Sequence, residues 1–403
     1  MGLLIARHLG TEDFGKLNYA LAWLGILSVI SGFGIKDLIV RDLVNDPSKL
    51  NELIGAALFI TTLLVLLALF TVSLFWYESE NFQQADYFIL MLCVSALIFR
   101  PAQVFTYHFE SQIRMKPIVI CQVSALVVCA AYRLNLVVYE YTLIWFSFAV
   151  ILEAGLVAAF VTTAFLRANP EFKFTVSPDY VLKILKDSAP LAVSAVAVIL
   201  YMRIDQVMLG SYHSLEQVGI YSAALRLSEA WYFIPMALVS TLAPKLIKMR
   251  LSSVKKSDQG FVALYSALFF GSVLVACIVQ IFGGPIILLL FGTDYEQAVD
   301  VLKLHIWSGI FVAWGVASSK WFILNNLQSL LLRKYLVGLI MNFLLNILLI
   351  PKSGAVGAAI ATLISQAYVG LFSDIIEARS RKIFLHKIYS LCFWRYSIVK
   401  EFK

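Results

Sequence analysis

The sequence predicts an all-α integral membrane protein of about twelve transmembrane helices, the first truncated. It predicts two six-helix bundles related by a parallel repeat. Composition, the spacing of apolar stretches and the alternation of basic residues carry this expectation. Of the 403 residues, 61% are hydrophobic and only 14% charged, and the mean hydropathy is +0.84. Soluble domains carry roughly 25% charged residues, and a water-exposed chain this apolar would be adhesive everywhere. The net charge of +7 does not point to nucleic acid. The basic residues sit in short runs between apolar stretches, not in one patch interleaved with aromatics. Cys93, Cys121, Cys129, Cys277 and Cys392 show no CxxC pair and lie mostly in or beside apolar runs. They read as small hydrophobes, with no disulfide framework and no metal site.

A span needs about 20 mostly apolar residues. Eleven stretches qualify, near 17–35, 53–76, 86–108, 117–134, 142–166, 188–210, 217–241, 260–282, 300–322, 335–350 and 354–377. Residues 1–9 are apolar but too short to span, and they lack a charged n-region and a cleavage site. They read as the end of a first helix.

With that stub counted as helix 1, the connections after even-numbered helices hold 24 Lys and Arg, and the opposite connections hold four. The rich side includes Lys36, Arg41, Lys245, Lys248, Arg333, Lys334, Arg381 and Lys387; the poor side has Arg7, Lys16, Arg133 and Lys352. Such alternation is the positive-inside pattern and predicts a cytoplasmic C-terminus. Glu78, Glu80, Asp294 and Glu296 fall on the far side.

The longest connection, about 167–187, contains Asn169-Pro170 and Ser177-Pro178 and marks the middle of the chain. The expected organisation is an N-terminal bundle over 1–175, a C-terminal bundle over 176–378 and a basic tail over 379–403. Thr11-Glu12-Asp13-Phe14-Gly15-Lys16-Leu17-Asn18-Tyr19-Ala20-Leu21 resembles the run from Leu215 to Leu225, 204 positions later. Leu9-Gly10 likewise matches Leu209-Gly210, with four extra residues before the next shared glycine. Six spans separate the copies, so both halves run the same way through the bilayer. Parallel repeats of this kind recur in transporters, with the substrate site between the halves.

Ionisable groups cost about 2.5–3.5 kcal/mol each at the bilayer centre on insertion scales, so those retained face protein or water. Arg203, Arg226, Arg100 and Lys303 are the candidate cations of a cavity that receives an anionic group. Asp205, Glu229, Glu153 and His305 are candidates for ion coupling or structural pairing. Arg226 and Glu229 are three apart and share a helix face, whereas Arg203 and Asp205 diverge. Asp300 and Asp374 lie near span ends and read as interfacial. Pro101, Pro190 and Pro235 favour kinks, and the tryptophans suit interface belts or sugar stacking. No HExxH, GxSxG or phosphate loop occurs, so neither an enzyme nor a cofactor is expected.

Ala6-Arg7-His8-Leu9-Gly10-Thr11-Glu12-Asp13-Phe14-Gly15 resembles the opening signature of polysaccharide exporters of the O-antigen flippase (Wzx) type. The segment from Gly34 to Arg41-Asp42-Leu43 is similar to theirs too. Arg203-Ile204-Asp205-Gln206-Val207-Met208-Leu209-Gly210 resembles the signature of their second half. Val218-Gly219-Ile220-Tyr221-Ser222-Ala223-Ala224, Ser228-Glu229, Tyr232-Phe233-Ile234-Pro235 and Pro244-Lys245 continue it. The resemblance implies the multidrug/oligosaccharidyl-lipid/polysaccharide exporter superfamily and alternating access in the bacterial inner membrane. The implied partner is an undecaprenyl-pyrophosphate-linked oligosaccharide, alongside the lipid bilayer and other polysaccharide assembly proteins. Arginine suits a pyrophosphate because its fork is planar and bidentate. Members begin with a full helix before the Ala-Arg-x-Leu-Gly motif, and this chain has nine residues of it. A drug or small-metabolite exporter would share the fold, with a more acidic or apolar cavity. A membrane polymerase or glycosyltransferase would need a long external loop, which is absent.

Overall fold

A computed structural model describes residues 1–77, 84–325 and 327–391. Glu78, Glu80, Cys392, Arg395, Lys400 and Lys403 lie outside the described residues. Among the described residues, ten helices are long and apolar enough to cross a bilayer. The chain forms two compact units, Met1–Val207 and Met208–Lys403.

The first unit contains α1 (Gly2–Gly32), α2 (Ile35–Asn45), α3 (Leu50–Tyr77) and α4 (Gln84–Ser95). A 3₁₀ stretch over Ala96–Val104 leads into α5 (Phe105–Ser111), followed by α6 (Lys116–Val138), α7 (Leu143–Ala168) and α8 (Pro178–Tyr212). Helix α3 shows how the sequence selects its faces. Leu63, Leu66, Leu67, Phe70 and Leu74 recur at helical spacing and are all more than half exposed. Leu53, Ile54, Ala56, Ala57 and Ile60 are buried against Phe105, Phe109 and Phe165. In hydrocarbon an exposed apolar stripe costs nothing, and helices associate through small residues and close packing. The expected boundary at 175/176 falls in the loop before α8, whereas the compact units part at 207/208. Helix α8 stays with the first unit because Ile199, Leu200 and Val207 pack on Ala22 and Ile26 of α1.

The second unit contains α9 (Leu215–Ala230), α10 (Phe233–Ser252), α11 (Val254–Phe291), α12 (Ala298–His305) and α13 (Ser308–Leu324). Then come α14 (Gln328–Ala367), a π turn over Tyr368–Phe372, α15 (Ser373–Ile376) and α16 (Arg381–Leu391). Its core is aromatic, with Phe261, Tyr265, Trp314 and Phe322 buried. The burial of Trp314 and Trp321 assigns those two to the core and not to an interface belt.

Two of the sequence expectations are refined. The connection expected around Lys16 is helical. Helix α1 runs through it with one break at Gly10 (φ 73°, ψ 179°), and Lys16 pairs with Glu12 at 2.9 Å and Asp86 at 3.2 Å. In the second copy of the repeat, α8 continues to Tyr212. Of the residues that follow, Ser211 and Tyr212 extend the helix, and the break comes at Ser214, whose hydroxyl accepts from the Gln217 N–H at 3.2 Å.

The stretches expected at 335–350 and 354–377 form one run over Gln328–Ile376, interrupted at Gly354 (φ 51°, ψ −130°). The left-handed φ favours glycine, and the break frees a backbone donor. Gln217 restores the bond: its Oε1 accepts from Ala355 N at 2.9 Å while its Nε2 donates to Gln297 at 3.1 Å. A Cβ on Gly354 would stand 2.5 Å from that Oε1, whereas one on Gly315 meets nothing within 4 Å. Gly354→Ala is therefore expected to destabilise the protein by about 1–3 kcal/mol. Gly315→Ala is expected to leave the detergent melting temperature unchanged. Equal melting temperatures for the two variants would refute this role of Gly354.

Candidate functional site

In the second unit, α9 and α12 bring the sequence-selected polar residues together. Helix α9 begins with a Ser214 cap and carries Tyr221, Arg226, Ser228 and Glu229; α12 ends at His305. Ser228 Oγ lies 2.8 Å from His305 Nδ1 and 3.2 Å from the Leu225 carbonyl. The Ser308 hydroxyl donates to the His305 carbonyl at 2.7 Å and meets the Tyr232 hydroxyl at 3.4 Å. The Tyr221 ring stands edge-on to the imidazole at 6.3 Å. His305 is 3% exposed, so it belongs to a hydrogen-bonded layer and not to an open surface. Arg226 and Glu229 flank Ser228 on α9 and are partly buried, and Arg226 acts electrostatically on Tyr295. Lys303, one turn-half before His305, is partly buried and has no ion-pair partner among the described residues.

In the first unit, Glu153 of α7 accepts a 2.6 Å bond from Arg133 of α6. Arg133, expected in a connection, is thus inside a helix and neutralised. Asp205 of α8 is buried; Arg203, two residues earlier, is partly buried and has no ion-pair partner among the described residues. Arg100 projects from the 3₁₀ stretch, where Pro101 removes a backbone donor. Its guanidinium lies against Gly32: a Cβ there would stand 2.8 Å from Nη2. Arg100 too is partly buried with no ion-pair partner among the described residues. Each unit therefore holds cations within its spans that have no ion-pair partner among the described residues: Arg100 and Arg203 in the first, Lys303 in the second.

Residues 3–250, more than half of the chain, match the family described as polysaccharide biosynthesis protein. The chain belongs to the polysaccharide biosynthesis protein family. A "Probable low-salt glycan biosynthesis flippase Agl15" of Haloferax volcanii is 22% identical over 90% of this chain and 76% of its own. The "Capsular polysaccharide biosynthesis protein CapF" of Staphylococcus aureus is 23% identical over 92% of both chains. Among solved structures, the lipid II flippase MurJ in an inward closed conformation aligns with a TM-score of 0.76 at 11% identity. That match covers 100% of this chain and 90% of MurJ. An inward-facing multidrug resistance MATE family transporter of the MOP superfamily aligns with 0.66 at 14%, over 100% and 94%. The fold of this multi-pass membrane protein is that of the MOP transporters.

This polysaccharide biosynthesis protein also holds a polar cluster that sequence reasoning missed. Asp374, read as interfacial, is fully buried. Its Oδ1 accepts from Lys334 Nζ at 2.6 Å and its Oδ2 from Lys387 Nζ at 2.7 Å. Lys387 also donates to the Gly370 carbonyl at 2.6 Å and lies 5.6 Å from the Tyr265 ring centre. Lys334 lies 4.6 Å from the Phe322 ring centre. Both lysines were counted with the loop charges because they sit near span ends in the chain. Only the return of α16 against α11 and the π turn brings them onto one carboxylate.

Burial pushes Lys387 down to about 8; Asp374 opposes this and Lys334 adds to it. An unfolded lysine titrates near 10.4. Between these values the unfolded chain binds more protons, so this group makes stability rise with pH from about 8 to about 10. Lys387→Met leaves a neutral Asp374–Lys334 pair and is expected to flatten that part of the melting-temperature profile. An unchanged profile would exclude the shift. Asp374→Asn strands two buried lysines and is expected to cost about 3–5 kcal/mol in chemical denaturation; a loss below 1 kcal/mol would show that the ammoniums reach water.

Proposed function

We propose that this protein is a flippase that moves an undecaprenyl-pyrophosphate-linked O-antigen or related polysaccharide repeat unit across the bacterial inner membrane by alternating access. The observation that carries the reading is the set of span cations Arg100, Arg203 and Lys303, uncompensated among the described residues, on a polysaccharide-family chain with a MOP fold. A cation retained in hydrocarbon without a carboxylate is costly, and an anionic cargo that arrives and leaves accounts for its persistence. Similarity to a capsular polysaccharide biosynthesis protein over 92% of both chains, and to a probable glycan biosynthesis flippase over 76% of its length, supports the cargo class.

In this reading Arg100, Arg203, Arg226 and Lys303 line the passage of the pyrophosphate. The lipid tail stays in the bilayer, and no bond is made or broken. Arg100 and Arg203 can each present a planar fork to phosphate oxygens. Asp205, Glu229, Glu153 and His305 hold the local charge balance or couple transport to an ion. Two six-helix bundles, twelve helices in all, form the transporter, with residues 379–403 on the cytoplasmic side.

Arg100→Ala and Arg203→Ala are expected to reduce long surface polysaccharide by at least about tenfold, the effect of losing roughly 1.4 kcal/mol of a charge-assisted contact. Protein level should stay normal, and Arg100→Lys should restore only part of the activity. Polysaccharide is measured by gel blot and protein by membrane immunoblot. Wild-type polysaccharide in both alanine variants and in Lys303→Ala would overturn the proposal.

A further inference from the structure

The second unit carries an apolar groove of about 560 Å³ that the flippase reading does not use. Trp307, which precedes α13, and Phe311 of α13 form one wall; Met341 of α14, Ala367, Tyr368 and Phe372 form the other, and no charged side chain lines it. The second wall includes the π turn over Tyr368–Phe372. A π turn inserts an extra residue and re-aims the side chains that follow. This one is fixed from behind. Gly370 presses on Phe311, where a Cβ would stand 2.6 Å from the carbonyl oxygen. The Gly370 carbonyl in turn accepts from buried Lys387 at 2.6 Å. The groove is therefore preformed and does not depend on a ligand to open it.

The lining residue latest in the chain, Phe372, stands a few residues before a basic segment. Phe372 is 53% exposed, and Ile375, three residues on and on the same helix face, is 41% exposed. Arg381 donates from Nε to the Ile375 carbonyl at 3.1 Å. The rest of its guanidinium is exposed and meets no acceptor among the described residues. Arg379 is also exposed and unpaired among them. Nearby basic residues are already neutralised, Lys382 by Asp258 at 2.6 Å and Arg333 by Glu377. Two guanidinium groups with no ion pair among the described residues thus stand just past Ile376, the end of the last span, after the apolar lining of the groove.

We propose that the groove holds one chain of an anionic glycerophospholipid whose phosphate is bound by Arg381 and Arg379. The charge at the groove's end selects an anionic headgroup over a zwitterionic one. The groove offers no charged group for reading a sugar, and mass action then favours the most abundant lipid of matching chemistry. The site is independent of the proposed cargo and would persist in a transporter of different substrate.

The test uses the full chain purified in detergent, incubated with phosphatidylglycerol or phosphatidylcholine of identical chains and read by native mass spectrometry. One phosphatidylglycerol is expected to be retained about fivefold over phosphatidylcholine, the effect of one basic residue at an anionic surface. Ala367→Phe fills the groove and is expected to abolish retention of both lipids. Ile364→Trp, on the exposed rim, is expected to do the same if Ala367→Phe fails to fold. Arg379→Gln with Arg381→Gln is expected to keep phosphatidylcholine binding and lose the preference. Unchanged retention in the folded groove-filling variants would overturn the proposal, as would a preference that survives loss of both arginines. Displacement of phosphatidylglycerol by equimolar undecaprenyl phosphate would reassign the site to an isoprenoid carrier and so overturn it too.

Discussion

Hydrocarbon offers no hydrogen bonds, so every polar group within a span must find its partner inside the protein, and the rest of this structure follows from that. Buried hydroxyls turn back on their own helices: Thr61 donates to the Ala57 carbonyl at 2.8 Å, Ser188 to Ile184 at 2.7 Å and Ser318 to Trp314 at 2.7 Å. Where the helix is broken at Gly354, the Gln217 amide on another helix takes up the freed backbone donor. Irregular backbone survives in a membrane only where such substitutes exist. The break and its glutamine are therefore one device, although 138 positions separate Gln217 from Ala355.

The same constraint sorts the charges. Arg133 with Glu153, Lys16 with Glu12 and Asp86, and Asp374 with two lysines are closed local accounts that let helices carry ionisable groups. Arg100, Arg203 and Lys303 belong to a second class, in which no ion pair is made among the described residues. A structural role explains the first class without any ligand. The second class is where function is most economically sought, because a charge within a span is costly to keep.

The low identity to solved transporters fits this division. At 11–14% identity the backbone still superposes along essentially the full chain. Apolar lipid-facing stripes and small-residue contacts tolerate wide substitution, provided pattern and volume are kept.

The sequence by itself determined the membrane class, the positions of nearly all spans and the family. These depend on composition and on periodic patterns along the chain. It also marked Ser228 and Glu229 through their signature segment and Arg226 and His305 as ionisable groups within spans, and the structure brings Ser228 and His305 to 2.8 Å. Only the tertiary structure decided which charges are neutralised. Lys334, Asp374 and Lys387 looked like unrelated residues near span ends, and Arg133 and Lys16 looked like loop charges. The partner of a charge in a helix lies on another helix, at a separation of 40 residues for Lys334 and 70 for Lys16. Linear spacing records the face a residue occupies, and packing alone records what that face meets.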